Sequence, residues 1–263
     1  MWKISCLSLA LVCLTAAPAR AAPTFAALAD LTIAGPIIVK ARITRTERRP
    51  DRESPGVAPG HSRLLVTVAV VSALVAPIAI PAQLVWLWDA PLDARGKPVT
   101  VKNLEVMAWI GAPDLQGRTR LIAPDAQQPW SPAIDASVRT IAIEQASATV
   151  PVITAVVNGF RADGTVAGES ESQFLLGTAN GPGATLVVTS RPGMPPRITV
   201  ARGDIIDDSA GIVKPGSLLW YRLACVLPAV LPVSAGGGDV ALAADWRAAI
   251  ASLGPCTRQP GPA

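Results

Sequence analysis

From Leu64 to Trp88 no side chain carries a charge, and Thr67, Ser72, Gln83 and two prolines are the interruptions of an otherwise apolar tract. A membrane helix would need about 20 continuous apolar residues. Pro77 and Pro81 each remove a backbone donor and clash with the preceding turn, so one helix across them is costly. Leu64–Val75 is also rich in Val, Leu, Ala and Thr, which suits a pleated strand. Its larger residues alternate: Leu64, Val66, Val68, Val70, Ser72 and Leu74 fall on one face, and Thr67, Ala69 and Ala73 on the other. We read two core strands joined by the Val75–Pro81 loop. The second is Gln83–Trp88, with Leu84, Trp86 and Trp88 on a common face.

The same period recurs upstream. Ile37, Val39, Ala41 and Ile43 face one way, while Ile38, Lys40, Arg42 and Thr44 face the other, a strand with one wet side. Residues 23–30 read as a mobile lead-in to it. Arg45–His61 is rich in charge, Pro and Gly and reads as an exposed loop. Its Arg48, Arg49 and Arg52 alternate with Glu47, Asp51 and Glu53, so it could hold a polyanion, although a solvated hairpin loop is the plainer reading. After a turn at Arg95-Gly96, Val99–Ile110 is expected as another strand, with Leu104, Val106, Ala108 and Ile110 on one face. Four or five strands in this span predict a small barrel or sandwich, OB-like or Ig-like.

Gly111–Pro129 is polar and proline-containing and is taken as the connection between a β-rich domain, residues 23–123, and a second domain, residues 124–263. Ser131 before Pro132 is a helix start, and Ile134, Val138, Ile141 and Ala142 recur at helical spacing, which predicts a helix over 132–146. Four strand-like runs follow, Val152–Phe160, Glu169–Gly177, Ala184–Arg191 and Arg197–Ile206. Their short turns force an antiparallel meander. Ser217 caps an expected helix over Leu218–Leu227. Asp239 caps a last one, in which Leu242, Trp246, Ile250 and Leu253 share a face before Gly254-Pro255 ends it. The fold class is thus α+β: a β-rich N-terminal barrel or sandwich, then a helix, a four-stranded antiparallel meander and two C-terminal helices.

The first residues change the accounting. Lys3, an uncharged apolar stretch from Ile4 to Ala17, and small residues around Pro18-Ala19-Arg20-Ala21-Ala22 form a secretory leader, with cleavage expected after Ala21 or Ala22. Removing residues 1–22 lowers 23 basic residues to 21 against 19 acidic ones, so the formal charge falls from +4 to +2. A chain so nearly balanced has little reason to seek nucleic acid. Of four cysteines, Cys6 and Cys13 leave with the leader. Cys225 and Cys256 remain, and two thiols in an exported protein predict a disulfide. Closing its roughly 30-residue loop contributes about 3–4 kcal/mol in the chain-entropy model. Twenty-five prolines and 21 glycines fit many short elements.

Candidate chemistry is sparse. His61 is the single histidine and reads as a loop residue rather than part of a triad. Gly236-Gly237-Gly238 lacks the Lys-Ser/Thr and preceding strand of a phosphate loop. Two cysteines and a distant histidine do not complete a metal shell, and no cofactor is expected. Carboxylates are what is left. Glu169 and Glu171 share a strand face with Gln173, and Asp204, Asp207 and Asp208 cluster at a strand end. Paired acids can hydrolyse glycosides and clustered oxygens can bind calcium. A solvated face and a polar turn are the blander readings, and they are favoured. Trp86, Trp88 and Trp109 could stack on sugars, but alternate strand positions more often mean core.

Several tracts stand out together: Asp89-Ala90-Pro91-Leu92-Asp93-Ala94-Arg95-Gly96, Gln128-Pro129-Trp130-Ser131-Pro132, Gly168-Glu169-Ser170-Glu171-Ser172-Gln173 and Leu218-Leu219-Trp220-Tyr221-Arg222-Leu223-Ala224-Cys225. In them the mature chain resembles a group of exported hypothetical proteins of Gram-negative bacteria. The resemblance implies export and this architecture, and it transfers no site residues. The expectation is a periplasmic or secreted binding or envelope-assembly module with no transmembrane span in the mature chain. Its partner would be an envelope protein or glycan. A carboxylate-dependent hydrolase of envelope glycans and a carrier of apolar ligands are the alternatives.

Overall fold

A computed structural model describes residues 22–99, 101–179, 183–202 and 211–258. The expected leader, but for Ala22, and the cluster Asp204, Asp207 and Asp208 lie outside the described residues. The architecture is α+β, with two antiparallel sheets and four helices among the described residues.

The strand β1 (Ile37–Arg48) organises the first sheet, because it pairs antiparallel on both edges. One neighbour is β2 (His61–Val75), the other β4 (Glu105–Ile110), and β3 (Gln83–Pro91) and β5 (Gln127–Pro129) extend the order to β3-β2-β1-β4-β5. Register shifts between Ile38 and Val39, Lys40 and Ala41, and Ile43 and Arg45 mark irregularities along the β1–β2 pairing. Such irregularities bend a strand and increase its twist, and the sheet is curled into a half-barrel. Its interior is occupied by Ile37, Val39, Ala41 and Ile43 from β1, Leu64, Val66 and Val68 from β2, and Leu84, Trp86 and Trp88 from β3. The uncharged central tract is therefore two strands, and no helix is long and apolar enough to cross a membrane among the described residues. Its buried side is the one the alternation predicted. The other side is not sealed: Val71 and Leu87 are each about half exposed.

Residues 23–30 are not a lead-in. They enter α1 (Phe25–Ala34), whose Thr24 hydroxyl accepts a hydrogen bond from the Ala27 N–H. Leu28, Ala29 and Leu31 pack with Ile134, Val138 and Ile141 of α2 (Pro132–Ala146) over Ile38, Met107 and Trp109 of the first sheet. A helix this apolar shows little polar contrast around its axis, so no helical period announces it. The expected strand from Val99 also begins later, at Glu105, because Asn103 takes a left-handed conformation (φ 67°). Leu104 is consequently exposed, outside the buried face assigned to it. Val106 to Ile110 are all buried, since Val106, Ala108 and Ile110 face the barrel and Met107 and Trp109 face the helices. The polar strand β5 lies past Ala123 yet belongs to the first sheet.

The second sheet is the meander β6 (Ile153–Asp163), β7 (Ser170–Thr178), β8 (Ala184–Ser190) and β9 (Arg197–Arg202), in sequence order. Phe174, Leu186, Val188 and Val200 pack against α3 (Leu218–Ala224) and α4 (Val240–Leu253) through Leu223, Leu242 and Trp246. Ser131, Ser217 and Asp239 each cap the helix expected of them. The helix after Ser217 is shorter than expected and stops at Cys225, which is bonded to Cys256 across a sequence separation of 31.

Candidate ligand cleft

Alternation along β2 and β3 sends one set of side chains into the barrel and the other outward. On the outer side Leu65 lies opposite Leu87, Thr67 opposite Val85, and Arg63 opposite Asp89. Arg63 and Asp89 form a two-pronged pair, Nε to Oδ1 at 2.7 Å and Nη2 to Oδ2 at 2.8 Å. Fork-to-fork geometry is the stronger kind of ion pair, and the Asp89 carboxylate raises the Arg63 pKa above its ordinary value. The result is an apolar strip with a neutralised polar end.

Two connections wall this strip. The β1–β2 connection brings Arg49, whose Nη2 is 2.6 Å from Glu53. The β4–β5 connection brings Arg118, Thr119 and Arg120. Asp114 builds that second wall: one carboxylate oxygen accepts the Gln116 and Arg118 N–H groups, each at 2.9 Å, and the other accepts Arg118 Nε at 2.7 Å. The Arg118 N–H, with the guanidinium and the Gln116 N–H, holds the Asp114 carboxyl below the usual range against partial desolvation. Gly117 closes the turn at φ +74°, and a Cβ there would sit 2.4 Å from the Gln83 carbonyl oxygen. That close approach lets the Val85 N–H reach the Gly117 oxygen at 2.9 Å and the Thr119 N–H reach the Val85 oxygen at 2.8 Å. A parallel bridge between Val85 and Arg118 thus ties the β3 edge of the curled sheet to the β4–β5 connection.

Two depressions of about 450 and 400 Å³ adjoin at Leu87 and Thr119. The first runs from Arg49 and Leu65 to Arg118, the second from Arg63 and Asp89 to Pro124. Arg49, Arg63 and Arg118 each have a carboxylate partner, whereas Arg120 has none among the described residues. The cleft is therefore apolar along its floor and positive at one side.

Of the acids singled out in the sequence, Glu169 and Glu171 do not line this cleft. The Glu169 backbone closes the β6–β7 turn, its N–H on the Val166 oxygen and its C=O accepting from Gly164. Glu171 accepts from Gln173 Nε2 at 2.6 Å and lies opposite Ala162 and Thr189. Among the described residues no three His, Cys, Asp or Glu side chains gather to hold a metal. In the second half Asp245 takes Arg161 Nη1 at 2.6 Å and Ser172 Oγ at 2.5 Å. The His61 ring reaches the Pro59 oxygen through Nδ1, at 3.2 Å. Trp86, Trp88 and Trp109 are buried, and the first and last donate to Gln127 and Thr32. Of the arginine-rich loop, Arg49 and Glu53 reach the cleft. Arg118 and Arg120 carried no pattern, since a loop has no period.

No known family model matches the chain, and no curated protein does.

Proposed function

We propose that the protein is an exported, non-enzymatic binding module that holds an envelope ligand in the cleft over β2 and β3. The observation that carries this reading is the cleft itself. A half-barrel in the order β3-β2-β1-β4-β5, its β3 edge bridged in parallel to the β4–β5 connection, supports an OB-like reading of this sheet. Barrels of that kind bind on the β2–β3 face, between the β1–β2 and β4–β5 connections. Here those connections supply the arginine walls and the strands supply Leu65, Val85 and Leu87. The leader pattern of residues 1–22 and the Cys225–Cys256 bond support a site of action outside the cytoplasm. A hydrolase is disfavoured because Glu171 is engaged by an amide and faces no second acid across the sheet. A carrier is disfavoured because tryptophans and aliphatic side chains occupy the barrel interior.

Photo-crosslinking in the intact envelope tests this. A photoreactive residue at Leu65 or Leu87 is expected to capture an envelope component, and one at Val233, which is 83% exposed on the other half, is not. Equal capture from Val233, or none from the two cleft positions, would overturn the reading.

A further inference from the structure

The outer edge of β3 is open over a defined stretch. Backbone groups of an antiparallel strand alternate between its two edges. Val85 points its N–H and C=O away from β2, toward Gly117 and Thr119, so Leu87 and Asp89 point theirs the same way. The bridge does not continue to them. After Thr119 the chain turns to β4, where the Gly111 N–H reaches the Arg120 oxygen and the Ile122 N–H the Trp109 oxygen. Pairing on this edge resumes at Pro91, whose oxygen accepts from the Val99 N–H at 3.1 Å. Between those points Leu87 and Asp89 have no backbone partner on this edge among the described residues. The facing segment mirrors this. The antiparallel bridge from Ile110 to Leu121 turns the Leu121 N–H and C=O away from β4, again without a backbone partner among the described residues. All three residues line the depression of about 400 Å³.

We infer that this window accepts an extended polypeptide segment of a partner protein, which adds to the edge of β3 as a strand and sets an acidic side chain against Arg120. The inference rests on the cleft being the binding surface and names its ligand class. Donors and acceptors two residues apart match the repeat of an extended peptide, and a free strand edge is the template for such addition. A glycan has no such repeat of N–H and C=O groups. The charge fits as well, because Arg120 is the cleft arginine without a carboxylate of its own.

Selection from a random displayed peptide library on the disulfide-intact protein tests it. Enriched peptides should contain Asp or Glu beside alternating apolar residues. Leu87→Pro removes a donor that faces away from β2, which an edge strand tolerates, and should weaken the selected peptide about tenfold or more, well beyond Leu87→Ala, which loses the side chain and keeps the N–H. Arg120→Glu should weaken it comparably and in a salt-dependent way. In the unsubstituted protein the peptide should slow hydrogen exchange of the Leu87 and Asp89 amides, a readout that stands if Leu87→Pro fails to fold. Unchanged exchange at both amides, or no enrichment over the Arg120→Glu protein, overturns strand addition. A protease-resistant glycan captured from Leu65 and Leu87 would also overturn it while leaving the cleft reading intact.

Discussion

Single residues in this protein are decided by what a buried polar atom can reach. Trp86 is almost wholly buried, and its indole N–H is satisfied by Gln127 Oε1 at 2.8 Å, from the short polar strand β5. Gln127→Leu leaves that donor unpaired and is expected to cost about 1–3 kcal/mol in urea unfolding. The cost should shrink when Trp86 is also changed to Phe, because no orphaned donor then remains. Asp135 makes a pH-dependent contribution. The Arg139 guanidinium holds its carboxyl below the usual range, helped by the Trp130 indole and by the charge of Lys40, against partial burial. A depressed carboxylate stabilises the fold above its unfolded pKa of about 3.9, and the contribution disappears as pH falls through the folded value. Asp135→Asn is therefore expected to lower the urea midpoint at pH 7 and to reduce the further loss on acidification below about pH 4.

At the scale of elements, the strands were legible and the devices that curl them were not. The alternation of Leu64, Val66 and Val68 with their neighbours, and of Leu84, Trp86 and Trp88, marked β2, β3 and their buried sides correctly. The helix starts at Ser131, Ser217 and Asp239 were equally readable, since a cap is a local arrangement of one side chain and nearby N–H groups. Helix α1 escaped because it is apolar nearly all round, and β5 because it is only two glutamines and a proline long. The closure between β3 and the β4–β5 connection hangs on Gly117, which combines positive φ with contact to the Gln83 carbonyl. Gly117→Ala is expected to lower stability by more than about 1 kcal/mol and to speed hydrogen exchange at Val85 and Thr119. Unchanged melting and exchange would mean that the bridge is not what holds the seam.

The whole molecule is tied together at its helices. Tyr221 donates from α3 to Asp30 of α1, Arg258 also pairs with Asp30, and the Thr24 hydroxyl reaches the Thr257 oxygen at 2.6 Å. Arg222, buried, reaches the Val150 carbonyl and Gln145. The residues just after Cys256 thus lie on the helix that covers the first sheet, and the disulfide fixes where they start. Replacing both Cys225 and Cys256 by Ala removes a link across 31 residues and is expected to cost about 3–4 kcal/mol in urea unfolding. Hydrogen exchange in α1 should accelerate in the same variant, because Thr257 and Arg258 would lose their anchor. Equal protection of α1 with and without the bond would confine its role to the C-terminal helices.

What the chain alone determined here is what near neighbours govern: the buried sides of β2 and β3, and the helix starts at Ser131, Ser217 and Asp239. Period and capping need only a few consecutive residues, so they survive in one dimension. The cleft had to wait for the fold, because Leu65, Leu87, Arg49 and Arg118 come from four separate elements and meet only when irregular pairing curls the sheet and Gly117 lets the β4–β5 connection approach β3. The open edge at Leu87 and Asp89 is a tertiary fact of the same kind, since a backbone group is free or paired according to which distant strand comes to lie beside it.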